Sequence, residues 1–213
     1  ALANPDPGAD PLRELAAALR RAFARTEREL IEKFSEARRL LGKQGDKVAS
    51  GGSCAAVVAV LARALVVANA GDCRVVLGRR HRVPARRGEA PRLVHEAVPL
   101  SADHNAMDPH EQARLRAEHP LEPDVVLCRS PDSCYVKGRL QPTRGFGDAY
   151  VRYPGFNLDD FPVFTPPYTT HDPEIIIHGR DIKGDGGQDA FVILGSDGLW
   201  EFFSSQEAVS FVG

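Results

Sequence analysis

The segment that most restricts the fold runs from Cys54 to Gly71 and reads CAAVVAVLARALVVANAG. Its 18 residues contain one charge, Arg63, which lies near the middle. A membrane span would bury that arginine at a cost of about 2.5–3.5 kcal/mol, so two strands joined near 62–64 explain the run better. Because both strands are apolar on both faces, we predict for them a central position in a sheet that is covered on each side.

A long amphipathic helix precedes these strands. Asp10 and Pro11 are typical of a helix start, as N-cap and first-turn proline, and Gly42 can end the helix. Between them apolar residues recur at steps of mostly three or four, over about 30 residues or 45 Å of helix. A helix followed by antiparallel strand pairs is typical of the α+β class. We therefore predict two sheets packed face to face, with helices outside.

Two polar stretches are predicted to be loops. The first, residues 43–52, is rich in glycine. The second, residues 79–92, is locally basic and reads RRHRVPARRGEAPR. We interpret it as a solvated loop, and the steering of a phosphate or of an acidic substrate is the alternative. Strands are expected at about 73–78, 98–100, 125–128, 133–137, 174–178 and 190–195.

Two further helix starts are visible. Asp108 and Pro109 predict a helix that runs to about residue 119, with Glu111 at N3 as in a capping box. Ser204 and Glu207 have the spacing of a second capping box, which predicts a helix at the end of the chain.

Composition and cysteine spacing exclude several functions. The 27 basic and 29 acidic residues leave a net charge of −2, which gives no general attraction to nucleic acid or to an anionic membrane. The first residues lack the apolar run of a signal peptide. The cysteines form no C-x-x-C pair, which disfavours a zinc site or redox dithiol. We predict reduced thiols, as in a cytoplasmic or nuclear protein, at Cys54, Cys73, Cys128 and Cys134.

The clearest candidate for a functional site lies where the predicted strand 190–195 ends in Ser-Asp-Gly. Gly198 permits a tight turn, so that Asp197 projects from the strand end, and Glu201 follows four residues later. Paired carboxylates at a strand end are good ligands for a hard cation. The alternative is that Asp197 only caps a turn, because Asp-Gly is common in turns. The local sequence leaves both interpretations open.

Two other segments offer weaker candidates. Asp103 and His104 follow an apolar run and could bind metal or act as acid and base; alternatively, Asp103 accepts local backbone hydrogen bonds and His104 lies in a partly exposed loop. Arg144 precedes a Gly-x-Gly turn and could face a phosphate. Alternatively, Arg144 pairs with Asp148 four residues on.

Taken together, these segments resemble the metal-dependent protein serine/threonine phosphatases of the type 2C family. The resemblance lies in the order of the motifs along the chain as well as in each motif. Those that carry it are Gly52-Ser-Cys-Ala55, Val67-Ala-Asn-Ala-Gly-Asp-Cys-Arg74, Leu100-Ser-Ala-Asp-His104, Arg144-Gly-Phe-Gly-Asp148 and Ile193-Leu-Gly-Ser-Asp-Gly-Leu-Trp-Glu201. The segments 117–120 and 165–168 favour the pyruvate dehydrogenase phosphatase-like branch.

This resemblance implies an αββα sandwich and a centre of two or three Mg or Mn ions that activates water to hydrolyse phosphoserine and phosphothreonine. Asp197 matches the aspartate that the metal cluster shares, and Asp103 and Glu201 match carboxylates of an additional metal. Glu201 replaces the more common aspartate. Asn69, Asp72, Arg144, Gly147 and Asp148 match positions that mainly build the scaffold.

The family's early Glu-Asp and D-G-H-G-G motifs, its phosphate-binding arginine and its late D-N motif have no counterpart in the 213 residues. We therefore expect residues 1–213 to form one phosphatase-like domain that is incomplete at both ends, and to have little activity by themselves. The alternative is a pseudophosphatase that acts as a binding or scaffold module.

The expected partners are phosphorylated proteins. We expect a monomer with no nucleic-acid partner and no membrane span. The predicted reduced thiols favour a cytoplasmic or nuclear location, and the pyruvate dehydrogenase phosphatase-like segments make mitochondria the alternative.

Overall fold

The computed structural model describes residues 10–84, 91–130, 132–157, 163–180 and 188–213. Most of these residues lie in helices or in antiparallel strands. The helices are α1 (Pro11–Leu41), α2 (Lys43–Ala49), α3 (Pro109–Glu118), α4 (Asp197–Trp200) and α5 (Ser205–Val212), with short 3₁₀ turns at Ala149–Val151 and Pro154–Phe156. The strands are β1 (Gly52–Ser53), β2 (Ala55–Val60), β3 (Ala64–Ala70), β4 (Arg74–Val83), β5 (Arg92–Pro99), β6 (Val126–Ser130), β7 (Ser133–Val136), β8 (Phe146–Gly147), β9 (Glu174–Gly179) and β10 (Gln188–Gly195).

Two antiparallel sheets form the centre of the fold. One has the strand order β2-β3-β9 and the other the order β10-β4-β5. Leu65 and Val67 of β3 pack against Val75 and Leu77 of β4 in a buried cluster between the two sheets. Because side chains alternate along a strand, the intervening residues of β3 and β4 face outward, where helices cover them.

The helices cover the outer face of each sheet. Phe23 of α1 packs on Ala68 and Ala70 of β3. On the other side, Val76 of β4 packs against Trp200 and Val209, from α4 and α5. The layers therefore run helix, sheet, sheet, helix, which confirms the predicted αββα arrangement and its α+β class.

The prediction of a loop at 43–52 is wrong, because residues 43–49 form α2. Gly42 has φ +53°, so the chain turns sharply there and a second helix folds back on α1. Arg38 and Asp46 join the two helices through an ion pair of 2.6 Å. A Cβ atom at Gly45 would lie 2.3 Å from the carbonyl oxygen of Ala37, so glycine permits this close packing. Tertiary contact outweighs the low helix propensity of the segment.

The basic run is also not simply a solvated loop. Strand β4 continues to Val83 and β5 begins at Arg92, and the two pair in register with Arg79 opposite Glu96. The strand predicted at 98–100 is therefore the end of a longer one. The middle of the run, residues 85–90, lies outside the described residues.

The predicted central position holds for only one of the two apolar strands. Strand β3 is buried along its whole length between β2 and β9. Strand β2 lies at the edge of the three described strands, and Val60 is 64% exposed. None of the helices in the described ranges is long and apolar enough to cross a membrane.

The prediction of four reduced thiols is wrong for two of them. Cys128 and Cys134 face each other across the β6–β7 hairpin and form a disulfide. Their Cα atoms are 3.9 Å apart, and sequence spacing could not reveal this register. Cys54 and Cys73 are free. The thiol argument for a cytoplasmic or nuclear location therefore loses its premise, and the location stays a prediction.

Candidate functional site

Asp197 lies at the end of β10, where the predicted strand stops and α4 begins. Its carboxylate accepts a hydrogen bond of 2.8 Å from the backbone N–H of Gly198 and is otherwise exposed. The turn is stabilised by the side chain of Trp200, whose indole N–H donates to the carbonyl of Gly195 at 2.9 Å. A Cβ atom at Gly195 would lie 2.7–2.8 Å from the side chains of Leu199 and Trp200. The local fold thus presents the Asp197 oxygens to solvent.

Asp103 follows β5 and is held by Arg74, the first residue of β4. The guanidinium of Arg74 donates to both carboxylate oxygens of Asp103, at 2.6 and 3.1 Å. Arg74 also lies over the Trp200 ring, with 5.3 Å from its Cζ atom to the ring centre. Hydrogen bonding by Asp103 raises the pKa of Arg74. One arginine therefore ties the end of β5 to α4.

Cys73 lies near the aspartates at this end of the sheet. Burial, followed by the nearby charges of Asp72, Asp197 and Asp103, raises the pKa of its thiol. The register explains this proximity, because Arg74 pairs with Gly195 and the three segments leave the sheet side by side. We call Asp72, Asp103 and Asp197 the strand-end carboxylates.

Glu201 lies one turn beyond Asp197, at the C-cap of α4, with an exposed side chain. Its backbone N–H donates to the carbonyl of Asp197 at 2.8 Å. In the parts of the chain that the structure describes, no three His, Cys, Asp or Glu side chains form a group that could hold a metal ion. The chemistry of the strand-end carboxylates suits a hard cation, but they are not a complete ligand set, since both Asp103 oxygens accept from Arg74. The metal roles of Asp103, Asp197 and Glu201 stay predictions.

The turn between β3 and β4 is a scaffold for this region. The Asn69 amide donates to the carbonyls of Gly71 and Ala102, at 3.0 and 2.9 Å. Gly71 has φ +113°, and a Cβ atom there would lie 2.2 Å from the Cys54 sulfur. His104 is 3% exposed, and burial lowers its pKa. The prediction of a partly exposed loop histidine is therefore wrong. His104 packs under the Gly71 turn, and its backbone N–H donates to the Gly71 carbonyl at 3.0 Å.

Arg144 does not pair with Asp148. Its guanidinium lies 3.3 Å from Glu111 and 3.5 Å from the carbonyl of Asp172, and its buried Nε has no hydrogen-bond partner among the described residues. Asp148, whose φ is +47°, instead lies against Gly52. The i+4 spacing suggested a helical turn, whereas the segment enters β8.

Glu111 is a residue whose role the sequence did not reveal. It does not complete a capping box; its carboxylate accepts from Arg114 at 2.7 Å and from the Thr143 hydroxyl at 2.5 Å. Burial alone would raise the pKa of Glu111, but these hydrogen bonds outweigh it and lower the pKa to about 2. The long sequence separation from Thr143 gave no signal of this contact. The capping box at Ser204 and Glu207 is confirmed.

With this geometry established, comparison with known proteins identifies the family. The family model described as Protein phosphatase 2C matches residues 5–213. A protein of Oryza sativa subsp. japonica described as "Probable protein phosphatase 2C 72" is 35% identical over 201 residues, which cover 91% of this chain and 47% of that protein. An Arabidopsis thaliana protein described as "Probable protein phosphatase 2C 64" is 38% identical over 78% of this chain and 40% of its own length. The chain belongs to the protein phosphatase 2C family.

The fold comparison agrees with this assignment. A crystal structure of a serine-threonine phosphatase 2C from Toxoplasma gondii matches with a TM-score of 0.55 and 17% identity, covering 92% of this chain and 54% of that one. At this identity the match shows the fold alone. The chain spans about half the length of the curated relatives that it matches. The pyruvate dehydrogenase phosphatase-like branch stays a prediction.

Proposed function

We propose that this chain is part of a protein that hydrolyses phosphoserine and phosphothreonine in phosphorylated protein substrates, with Mg or Mn ions. The family assignment supports protein phosphatase activity as a class. The observation that carries the proposal for this chain is the position of Asp197, whose carboxylate is exposed where β10 ends, beside the strand that begins with Arg74, the partner of Asp103. The Asp197 oxygens are open to solvent and accept only from the Gly198 N–H, so they are available to a hard cation.

Each residue has a separate task in this proposal. Asp197 is exposed and offers its oxygens directly, and Glu201 offers a second carboxylate one turn away. Asp103 is held in a fixed orientation by Arg74. When bound, divalent cations supply an activated water and stabilise negative charge on the phosphoryl oxygens. In this proposal, the ends of the strands and the turn at Gly71 position the side chains of Asp103 and Asp197.

A scaffold protein without catalysis is the second candidate. The specific observation in its favour is that the Asp103 carboxylate is already engaged at both oxygens. If Arg74 keeps Asp103 permanently, the carboxylates serve the fold and the protein would bind phosphoproteins without turnover.

A dephosphorylation assay on the complete protein separates the two. We expect release of phosphate from a phosphothreonine peptide that requires Mn²⁺ and stops with EDTA, and we expect residues 1–213 alone to show little turnover. Glu201→Ala in the complete protein should lower activity by about tenfold, because this carboxylate is proposed as only one ligand of the additional metal. Binding of the phosphopeptide without any Mn²⁺-dependent release of phosphate would favour the scaffold.

A further inference from the structure

The far end of the β4–β5 hairpin carries the positive charge that the proposed phosphatase chemistry does not use. Arg82 lies eight residues beyond Arg74 on β4, or about 26 Å away at ~3.3 Å per residue of strand. This end of the sheet is therefore well separated from the strand-end carboxylates. A ligand bound here would not contact Asp197.

The arginines at this end differ in whether they have a partner among the described residues. Arg79 donates to Asp189 at 3.4 Å. Arg82 and Arg92 are exposed, and neither has an ion pair or hydrogen bond with another described residue. Among the described residues, these two arginines have no counter-charge. Their backbones lie close together, because Arg82 is paired across the ladder with Leu93, the residue after Arg92, whereas their side chains point to opposite faces of the sheet.

The edge of β5 is covered at one position and open at the next. Strand β5 is at the edge of the described three-stranded sheet. The side chain of Gln206 covers part of that edge, since its amide accepts from the Ala97 N–H and donates to the His95 carbonyl, each at 2.9 Å. In an antiparallel ladder every second residue turns its N–H and C=O to the same edge. Leu93 therefore presents its backbone to the open edge, and its side chain is 55% exposed.

We propose that this end of the hairpin binds an extended, acidic segment of another protein, which adds a strand at Leu93. An added strand gains backbone hydrogen bonds at the open edge. Since neighbouring side chains on a strand point to opposite faces, that strand meets Arg92 on one face of the sheet and Leu93 with Arg82 on the other. The fitting sequence alternates acidic residues, which face Arg92, with apolar residues, which face Leu93; Arg82 attracts the acidic residues at longer range from the opposite face. The proposal concerns binding alone and holds whether or not the protein is a phosphatase.

A polypeptide fits this surface better than a nucleic acid does. In the described part of this end, the unpaired cations are two arginines, on a chain of net charge −2, whereas nucleic-acid surfaces are broadly basic. A nucleic acid also cannot use the backbone N–H and C=O of Leu93 as a pairing strand can. An acidic peptide can pair with Arg92 and with the open edge together.

Fluorescence anisotropy with a labelled 12-residue peptide of alternating Glu and Val tests the proposal. We expect saturable binding to the chain that weakens as salt rises, and no binding of the matching Lys and Val peptide. The double variant Arg82→Glu/Arg92→Glu should weaken binding at least about tenfold. The control Arg21→Glu/Arg28→Glu changes the net charge equally on the exposed side of α1, and it should weaken binding less than about twofold.

The strand-pairing part has its own test, which needs no change to the protein. The same peptide with N-methyl groups on alternate residues keeps its charges and loses backbone donors, so we expect its affinity to fall at least about tenfold. Undiminished affinity of that peptide overturns the added strand. Absence of binding by the unmodified peptide, equal weakening in both double variants, or equally tight binding of a 12-nucleotide RNA overturns the proposal.

Discussion

Asp197 and the carboxylate of the buried ion network beneath the β6–β7 hairpin use the same chemical group in opposite ways. In the buried ion network, Glu122 is 2% exposed and accepts from Lys137 at 3.0 Å and from the Tyr168 hydroxyl at 2.7 Å. Thr165 also donates to it. Asp197, in contrast, is exposed and accepts one backbone hydrogen bond. A carboxylate whose oxygens are all engaged holds the fold together, whereas one left open is available for a ligand.

A second buried carboxylate follows the same pattern as Glu122. Glu27 of α1 is 1% exposed and accepts from Arg152 at 2.5 Å, from Tyr153 at 3.1 Å and from the Gly147 N–H at 2.9 Å. It thereby joins the long helix to the segment after β8. The sequence showed Glu27 only as a charged residue of an amphipathic helix. Burial therefore distinguishes carboxylates that stabilise the fold from those open to a ligand more clearly than their position in a motif does.

The largest expected change in stability comes from breaking the buried ion network. Lys137→Met leaves the Glu122 charge without its main counter-charge in a dry site, and we expect a loss of about 3–5 kcal/mol in the free energy of unfolding. Urea denaturation measures it. Lys33→Met is the matched control, because Lys33 pairs with Glu36 on the exposed side of α1, and it should cost less than about 1 kcal/mol. Similar losses in both variants would contradict the distinction between buried and open charges.

Glu111 is an intermediate case, because it is mostly buried and its partners lower its pKa to about 2. A carboxyl group whose folded pKa is below its unfolded value stabilises the fold above the unfolded pKa. This stabilisation is lost as the pH falls from about 4.5 towards 2. We expect Glu111→Gln to cost about 2–3 kcal/mol at pH 7 and little near pH 2. Urea denaturation of the unsubstituted protein and of Glu111→Gln across this pH range measures the difference. A difference in the free energy of unfolding that does not change with pH would contradict the prediction.

The contribution of Asp148 to stability should depend on pH in the opposite direction. Burial raises its pKa to about 6, with the neighbouring charge of Arg152 opposing the shift. The folded protein then binds the proton more tightly than the unfolded chain does, so stability falls as the pH rises from about 4 to 6. Asn tolerates positive φ, and Asp148→Asn should therefore stabilise by about 1–2 kcal/mol at pH 7 and by less at pH 4. A destabilised variant at pH 7 would refute this explanation.

Local sequence patterns predicted the helices and strands whose signals lie within a few residues. The caps at Asp10, Asp108 and Ser204 and the two strands around Arg63 are confirmed. The helix α2 was missed, because it depends on packing against Ala37 rather than on propensity. Strand β5 was too short in the prediction, since its basic half is held by pairing with β4.

In the candidate site, too, local sequence predicted some features, whereas others depend on tertiary contacts. The Gly-Ser-Asp-Gly segment at the end of the predicted strand indicated that Asp197 projects from the strand end. The structure places Asp197 there, at the start of α4. The pairing of Asp103 with Arg74, 29 residues apart, depends on the strand register. The contact of Arg144 with Glu111 and the disulfide between Cys128 and Cys134 likewise depend on tertiary neighbours.

The central claim is that the open carboxylates serve function and the enclosed ones serve the fold. The most direct measurement pairs Mn²⁺-dependent turnover with the free energy of unfolding in Asp197→Asn of the complete protein. The asparagine keeps the oxygen that accepts from Gly198, so we predict unchanged stability within about 0.5 kcal/mol and a loss of turnover of about a hundredfold or more. Near-normal turnover, or a loss of stability comparable to that of Lys137→Met, would contradict the claim.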